Sequence, residues 1–122
     1  MFKHLNTRIP KRIEQEKDKV SAVLIPLIKK NDGYHILFEV RKLSQQPGEI
    51  CFPGGRRERD ETSMEASIRE TCEELLISES NIKLYGPLDY FLSPAGLRID
   101  PYLGELVNYD GQYSNDEVSE LF

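Results

Sequence analysis

Residues 54–77 read GGRRERDETSMEASIRETCEELLI, and this stretch decides the fold. A Gly-Gly pair leads into a charged stretch, and Thr62 with Glu65 has the spacing of a capping box, the reciprocal bonding that starts a helix. Met64, Ile68, Cys72 and Leu75 then recur at the helical period and predict an apolar stripe packed on a core. At about 100° per residue, Glu70 and Glu74 share the opposite side one turn apart, with Glu73 adjacent. Three like charges so close repel by roughly a few tenths of a kcal/mol per exposed pair. A hard divalent cation with oxygen ligands turns that repulsion into coordination. A solvated acidic helix face is the plainer alternative. Arg69, beside Glu70, is placed to order the carboxylates through charge-assisted hydrogen bonds.

Upstream, residues 20–28 are mostly β-branched or aliphatic, Asn31-Asp32-Gly33 supplies a turn, and residues 34–41 resume the pattern. A hairpin of two largely buried strands is expected. Residues 42–49 have loop composition, and Ile50-Cys51-Phe52 predicts a short strand ending in a Gly-Gly turn. Downstream, strand material stands at 82–85, 88–92 and 98–107, with a loop at Ser93-Pro94-Ala95-Gly96 and a polar, turn-rich stretch at 108–116. Strands outnumber helices around one strong amphipathic helix, which predicts an α+β fold. Residues 1–18 read as a polar lead-in and 19–122 as one domain, without repeats or low-complexity tracts.

Composition narrows the function. The 122 residues carry 16 Lys+Arg against 21 Asp+Glu, a net charge of −5. Such a chain repels nucleic-acid phosphates and anionic membrane surfaces, so neither nucleic acid nor membrane is an expected partner. A phosphate ligand remains accessible through a divalent cation. Cys51 and Cys72 make neither a disulfide framework nor a zinc site, which suits a reducing compartment. No apolar run reaches the ~18 residues a membrane span needs, and no signal-peptide pattern follows Met1. A soluble cytoplasmic domain is the expectation.

The segment resembles the Nudix box, G-x5-E-x7-R-E-U-x-E-E-x-G-U, with U a bulky aliphatic residue. Gly55, Glu61, Arg69, Glu70, Glu73, Glu74 and Ile77 match in spacing. With two mismatches allowed, ordinary residue frequencies put a chance match on the order of one in a thousand. Thr71 stands where an aliphatic residue is expected, and its hydroxyl can bond the helix carbonyl one turn earlier. Leu76 replaces the glycine that would close the helix in a left-handed conformation. Leucine there costs roughly 1–2 kcal/mol, so the helix is expected to continue or turn differently.

The resemblance implies an α/β/α sandwich on a mixed β-sheet, here apparently lacking the C-terminal strand and helix. Dimerisation across the sheet face so exposed, domain swapping or a shortened chain would each answer that. It also implies hydrolysis of a nucleoside diphosphate linked to another group, with Mg²⁺ or Mn²⁺ on the box helix. On matching positions, Glu70 and Glu74 would be the principal metal ligands, with Glu73 and the Gly55 carbonyl joining. Arg69 would orient Glu70 or Glu73, and Glu61 would support the loop. Glu73, Glu105 and Glu117 are the general-base candidates, Glu73 first because it sits in the cluster.

Residues 48–55, GEICFPGG, with Arg41 before them and the segments 93–96 and 100–104 after, resemble the coenzyme A diphosphatase branch. That branch splits coenzyme A or its thioesters into 3′,5′-ADP and 4′-phosphopantetheine. Arg41, Phe52, Gly54 and Gly96 are the implied substrate contacts. The 41–48 loop is two residues shorter than the branch pattern, Lys42 replaces its serine, and Gln46 falls where its second arginine is sought. ADP-ribose, dinucleoside polyphosphates and oxidised nucleotides are the alternative substrates, and a non-catalytic Nudix-like binding module is the alternative outside enzymes.

Overall fold

The computed structural model describes residues 20–42 and 48–122; the lead-in at 1–18 and Gln46 lie outside the described residues. In chain order the strands are β1 (Val20–Lys30), β2 (Gly33–Ile36), β3 (Glu39–Arg41), β4 (Ile50–Cys51) and β5 (Gly54–Arg56). Helix α1 (Ser63–Leu75) follows, then a 3-10 turn (Glu79–Asn81), β6 (Ile82–Pro87), β7 (Phe91–Leu92), β8 (Arg98–Leu106) and β9 (Val118–Leu121).

The larger sheet is mixed. β1 runs parallel to β8 on one edge, and on its other edge pairs antiparallel with β5 through Ser21–Val23 and with β2 through Leu27–Lys30. β6 and β7 close the far side of β8. The smaller sheet, ordered β4-β3-β9, is antiparallel. Side-chain alternation along β1 sends Ala22 and Leu24 toward α1, where they pack with Ala66, Leu75, Ile77, Tyr102 and Leu106. Leu27 and Leu103, with Ile25, Tyr85 and Leu88, form a second cluster. The architecture is α+β, as expected.

The strand after the Asn31-Asp32-Gly33 turn departs from the expected buried hairpin partner. All four β2 residues are exposed because β2 is an edge strand, and the chain then leaves this sheet. Phe38 exchanges backbone hydrogen bonds with Phe122 at 2.8 and 3.0 Å, committing β3 to the smaller sheet. Rings of Phe52 and Phe122 stack on Phe38 with centroids 5.1 and 5.7 Å away. Of the segment expected as a strand over 88–92, only Phe91–Leu92 forms strand, although Leu88 N–H also donates to the Pro101 carbonyl of β8 at 2.9 Å. Gly54 and Gly55 form no turn: both lie extended in β5, where a Cβ on Gly54 would collide with the Ala22 carbonyl.

The capping box is present. Glu65 N–H donates to Thr62 Oγ1 at 3.1 Å, and Thr62 N–H donates to Glu65 Oε1 at 2.8 Å. The buried face, however, is not the apolar stripe. Ser63, Ala66, Ser67, Thr71, Glu74 and Leu75 face inward, while Met64 is 41% exposed and Ile68 and Cys72 are half-buried. Small side chains let the helix approach the sheet, and their hydroxyls are satisfied locally. Ser67 donates to Met64 O and Thr71 to Ser67 O, each at 2.7 Å, and Ser63 pairs with the Tyr102 hydroxyl at 2.7 Å. This rotation turns Glu70 and Glu74 inward. Leu76 does take the left-handed conformation, φ 49° and ψ 45°, so α1 stops where a glycine would stop it. Burial of Leu75 and Ile77 on either side offsets the local cost. No helix among the described residues is long and apolar enough to cross a membrane.

Candidate metal centre and adjoining cleft

The site forms where the end of α1 meets both sheets. Glu70 and Glu74 come from α1 and Glu117 from the residue before β9, whose carbonyl accepts from Lys42 N–H at 2.9 Å. One carboxylate oxygen from each of the three lies within 4.8 Å of the others. Oxygens on opposite sides of one small hard cation lie about 4–5 Å apart, so small rotamer adjustments bring all three onto one ion. The donor set is hard oxygen only, which fits Mg²⁺ or Mn²⁺ better than a thiophilic metal. Glu74 is 5% exposed, and its carboxyl is pushed up to about 12, first by burial and then by the Glu39 and Glu70 carboxyls. Burial and neighbouring acids also raise Glu117. Such groups hold protons until a cation replaces them.

Glycine and arginine set this geometry. Gly54 N–H donates to Glu74 Oε2 at 3.2 Å, and a Cβ on Gly55 would sit 2.5 Å from Glu70 Oε2, so a larger residue would push that carboxylate out of its present place. Arg69 ties the helix to the preceding loop: Nη2 lies 2.7 Å from Glu61 Oε1 and 3.2 Å from the Arg56 carbonyl, and Nε lies 3.1 Å from Glu58. Its Nη1 holds Glu70 at 3.2 Å and Glu73 at 3.3 Å. The Arg69 guanidinium holds the Glu61 carboxyl below the usual range. Glu73 is thus drawn toward Arg69, half-exposed, on the flank of the trio.

Other anticipated residues are spread more widely. Arg41 and Gly54 line both the 250 Å³ cavity that contains the trio and an adjoining cleft of about 500 Å³. Ser21, Val23, Gly55, Ser93, Ala95 and Leu97 are among the other walls of that cleft. Phe52 stacks on Phe38, and Gly96 is exposed in the Ser93 loop. Glu105 accepts from the Tyr85 hydroxyl at 2.6 Å, away from the carboxylates. Glu39 was not anticipated. It lines the 250 Å³ cavity at 3% exposure. The signal available in sequence was an acid interrupting the apolar run 36–40.

The NUDIX domain family matches residues 18–120. The chain is 33% identical over 105 residues to the peroxisomal coenzyme A diphosphatase NUDT7 of Mus musculus, covering 83% of this chain and 44% of that one. It is 32% identical over 120 residues to Nudix hydrolase 3 of Caenorhabditis elegans, covering 91% and 50% respectively. The chain therefore spans about half the length of these curated relatives. The crystal structure of a C. elegans Ap4A hydrolase binary complex superposes with a TM-score of 0.72 at 24% identity, covering 84% of this chain and 76% of that one, a likeness of fold. With Arg69, Glu70, Glu73 and Glu74 of the box on α1 and the family match running through both sheets, this chain belongs to the Nudix family.

Proposed function

We propose that this domain hydrolyses the diphosphate linkage of a nucleotide derivative in a reaction dependent on Mg²⁺ or Mn²⁺. The substrate we favour is coenzyme A or an acyl-CoA. The observation that carries the reading is the carboxylate trio opening, through Arg41 and Gly54, onto a cleft of about 500 Å³. That volume suits a drug-sized or nucleotide-sized ligand. The coenzyme A preference rests on residues 48–55 and on the likeness to a coenzyme A diphosphatase.

Glu70 and Glu74 would hold the metal, with Arg69 fixing Glu70 and the Gly54 N–H fixing Glu74. A divalent cation held there would supply charge to offset the diphosphate and acidify a bound water. Glu117, raised in pKa, would share the ion through one carboxylate oxygen and take the proton from the attacking water with the other. Glu73 steadies Arg69 from the solvent side. Arg41 meets substrate phosphate where cleft and cavity join. Water oxygen adds to one phosphorus and the anhydride bond breaks, giving 3′,5′-ADP and 4′-phosphopantetheine, acylated where the substrate was.

Chromatography of products from coenzyme A, acetyl-CoA, ADP-ribose and diadenosine tetraphosphate, with Mg²⁺ and with chelator, tests reaction and substrate together. Metal-dependent 3′,5′-ADP from coenzyme A in excess over the other products is expected. Faster turnover of ADP-ribose or diadenosine tetraphosphate would overturn the coenzyme A assignment. No turnover, with metal and nucleotide still bound, would favour a binding module.

A further inference from the structure

Glu39 is a carboxylate that no part of the box accounts for. It lies on β3, the central strand of the smaller sheet, with Cys51 opposite it on β4 and Leu121 on β9. Its side chain is buried, at 3% exposure. Oε1 receives only the weak Cys51 thiol donor, at 3.7 Å. Oε2 is buried with no hydrogen-bond partner. No lysine or arginine among the described residues pairs with it.

A buried acid in that state is costly, since an ionised carboxylate needs a countercharge and an orphan oxygen forfeits its hydrogen bond. Neighbours narrow the ways to satisfy it. Glu39 lines the 250 Å³ cavity with Arg41, Gly54, Glu70, Glu74 and Glu117. Its carboxyl lies against that of Glu74, and two ionised carboxylates cannot donate to each other. Only a shared proton or a cation joins them. The cavity that would hold the cation is also one that Glu39 lines.

We propose that Glu39 is a further ligand of the metal centre, its inner oxygen closing from the β3 wall on a divalent cation held by Glu74. This rests on the metal reading of the Glu70/Glu74/Glu117 trio and adds a residue from outside the box helix. The fourth carboxylate makes the pocket a basket of four negative charges drawn from the smaller sheet and the helix, so cation binding ties the smaller sheet to α1.

The test is Mn²⁺ binding to the chelator-stripped full chain, read by electron paramagnetic resonance of free Mn²⁺ and by the thermal shift that Mn²⁺ induces. Glu39→Gln keeps the shape and supplies an amide donor toward Glu74. It is expected to weaken Mn²⁺ about 10- to 100-fold and to lose most of the Mn²⁺-induced shift, while the metal-free protein melts no lower than wild type. Affinity within twofold of wild type would overturn the proposal. Should Glu39→Gln not fold, Glu39→Asp keeps the charge but withdraws it by one methylene: weakened Mn²⁺ supports the assignment, and unchanged Mn²⁺ overturns it. Wild-type protein that binds no Mn²⁺ overturns this proposal and the metal reading together. Wild type that binds Mn²⁺ through Glu39 yet hydrolyses none of the four nucleotides leaves the proposal standing and the enzymatic reading failed.

Discussion

At the level of single residues, the site is a contest between burial and charge. Glu74 sits almost wholly inside, beside two other acids, with a backbone donor in Gly54 N–H. Glu74→Gln is expected to lower metal-dependent turnover by at least about 10²–10³-fold with circular dichroism unchanged, because an amide removes the charge on which the cation depends. Unchanged turnover would refute its assignment as a ligand. Glu61 shows the opposite electrostatics: Arg69 holds its carboxyl below 4.5. A carboxyl lowered on folding stabilises the fold above its unfolded value and loses that contribution as pH falls through the folded value. Wild type should therefore lose stability on acidification below about pH 4.5 more steeply than Glu61→Gln, as urea titrations at stepped pH would show. The spacing of Glu61, Arg69, Glu70 and Glu74 was legible from the chain because one helix and its cap determine it. Glu39 was not, because its meaning comes from a wall built by residues up to 82 positions away.

The helix shows how a periodic pattern can name the right element and the wrong face. Met64, Ile68 and Cys72 are apolar at helical spacing, yet the sheet below is approached through Ser63, Ala66, Ser67 and Thr71. A serine or threonine whose hydroxyl bonds its own helix backbone presents little unsatisfied polarity, so it packs like a small apolar residue. Hydropathy alone does not register that. Thr62→Ala should cost about 1 kcal/mol by removing the cap on Glu65 N–H, measured by denaturant unfolding. At the other end, Leu76 is 52% exposed and left-handed. Leu76→Gly should stabilise by roughly 0.5–1 kcal/mol, the relief of strain exceeding the added chain entropy. A lower melting temperature for that variant would mean that Leu76 contributes packing larger than the strain.

Across the whole molecule, the two sheets are joined where Phe38 leaves one and enters the other, between the rings of Phe52 and Phe122. Phe38→Ala should lower Mn²⁺ affinity, because the seam adjoins β3, which carries Glu39 and Arg41, and pairs with the end of β9, which Glu117 precedes; unchanged affinity by calorimetry would show that the seam does not position the site. Farther along, Arg98 and Asp100 form a buried pair at 2.9 Å, with the guanidinium 3.9 Å over the Tyr90 ring. Asp100→Ala strands a buried cation and should cost about 3–5 kcal/mol in unfolding free energy. The sequence by itself determined the helix, its cap, the strand-rich α+β class and the box carboxylates, since each depends on neighbours within a turn or a hairpin. Tertiary structure alone decided which face of α1 is buried, that Gly54 and Gly55 are a strand pressed against β1 and Glu70, and that Glu39 and Glu117 join the helix acids. Those outcomes depend on strand pairing between residues far apart in the chain, and the identity of any one segment does not encode its distant partner.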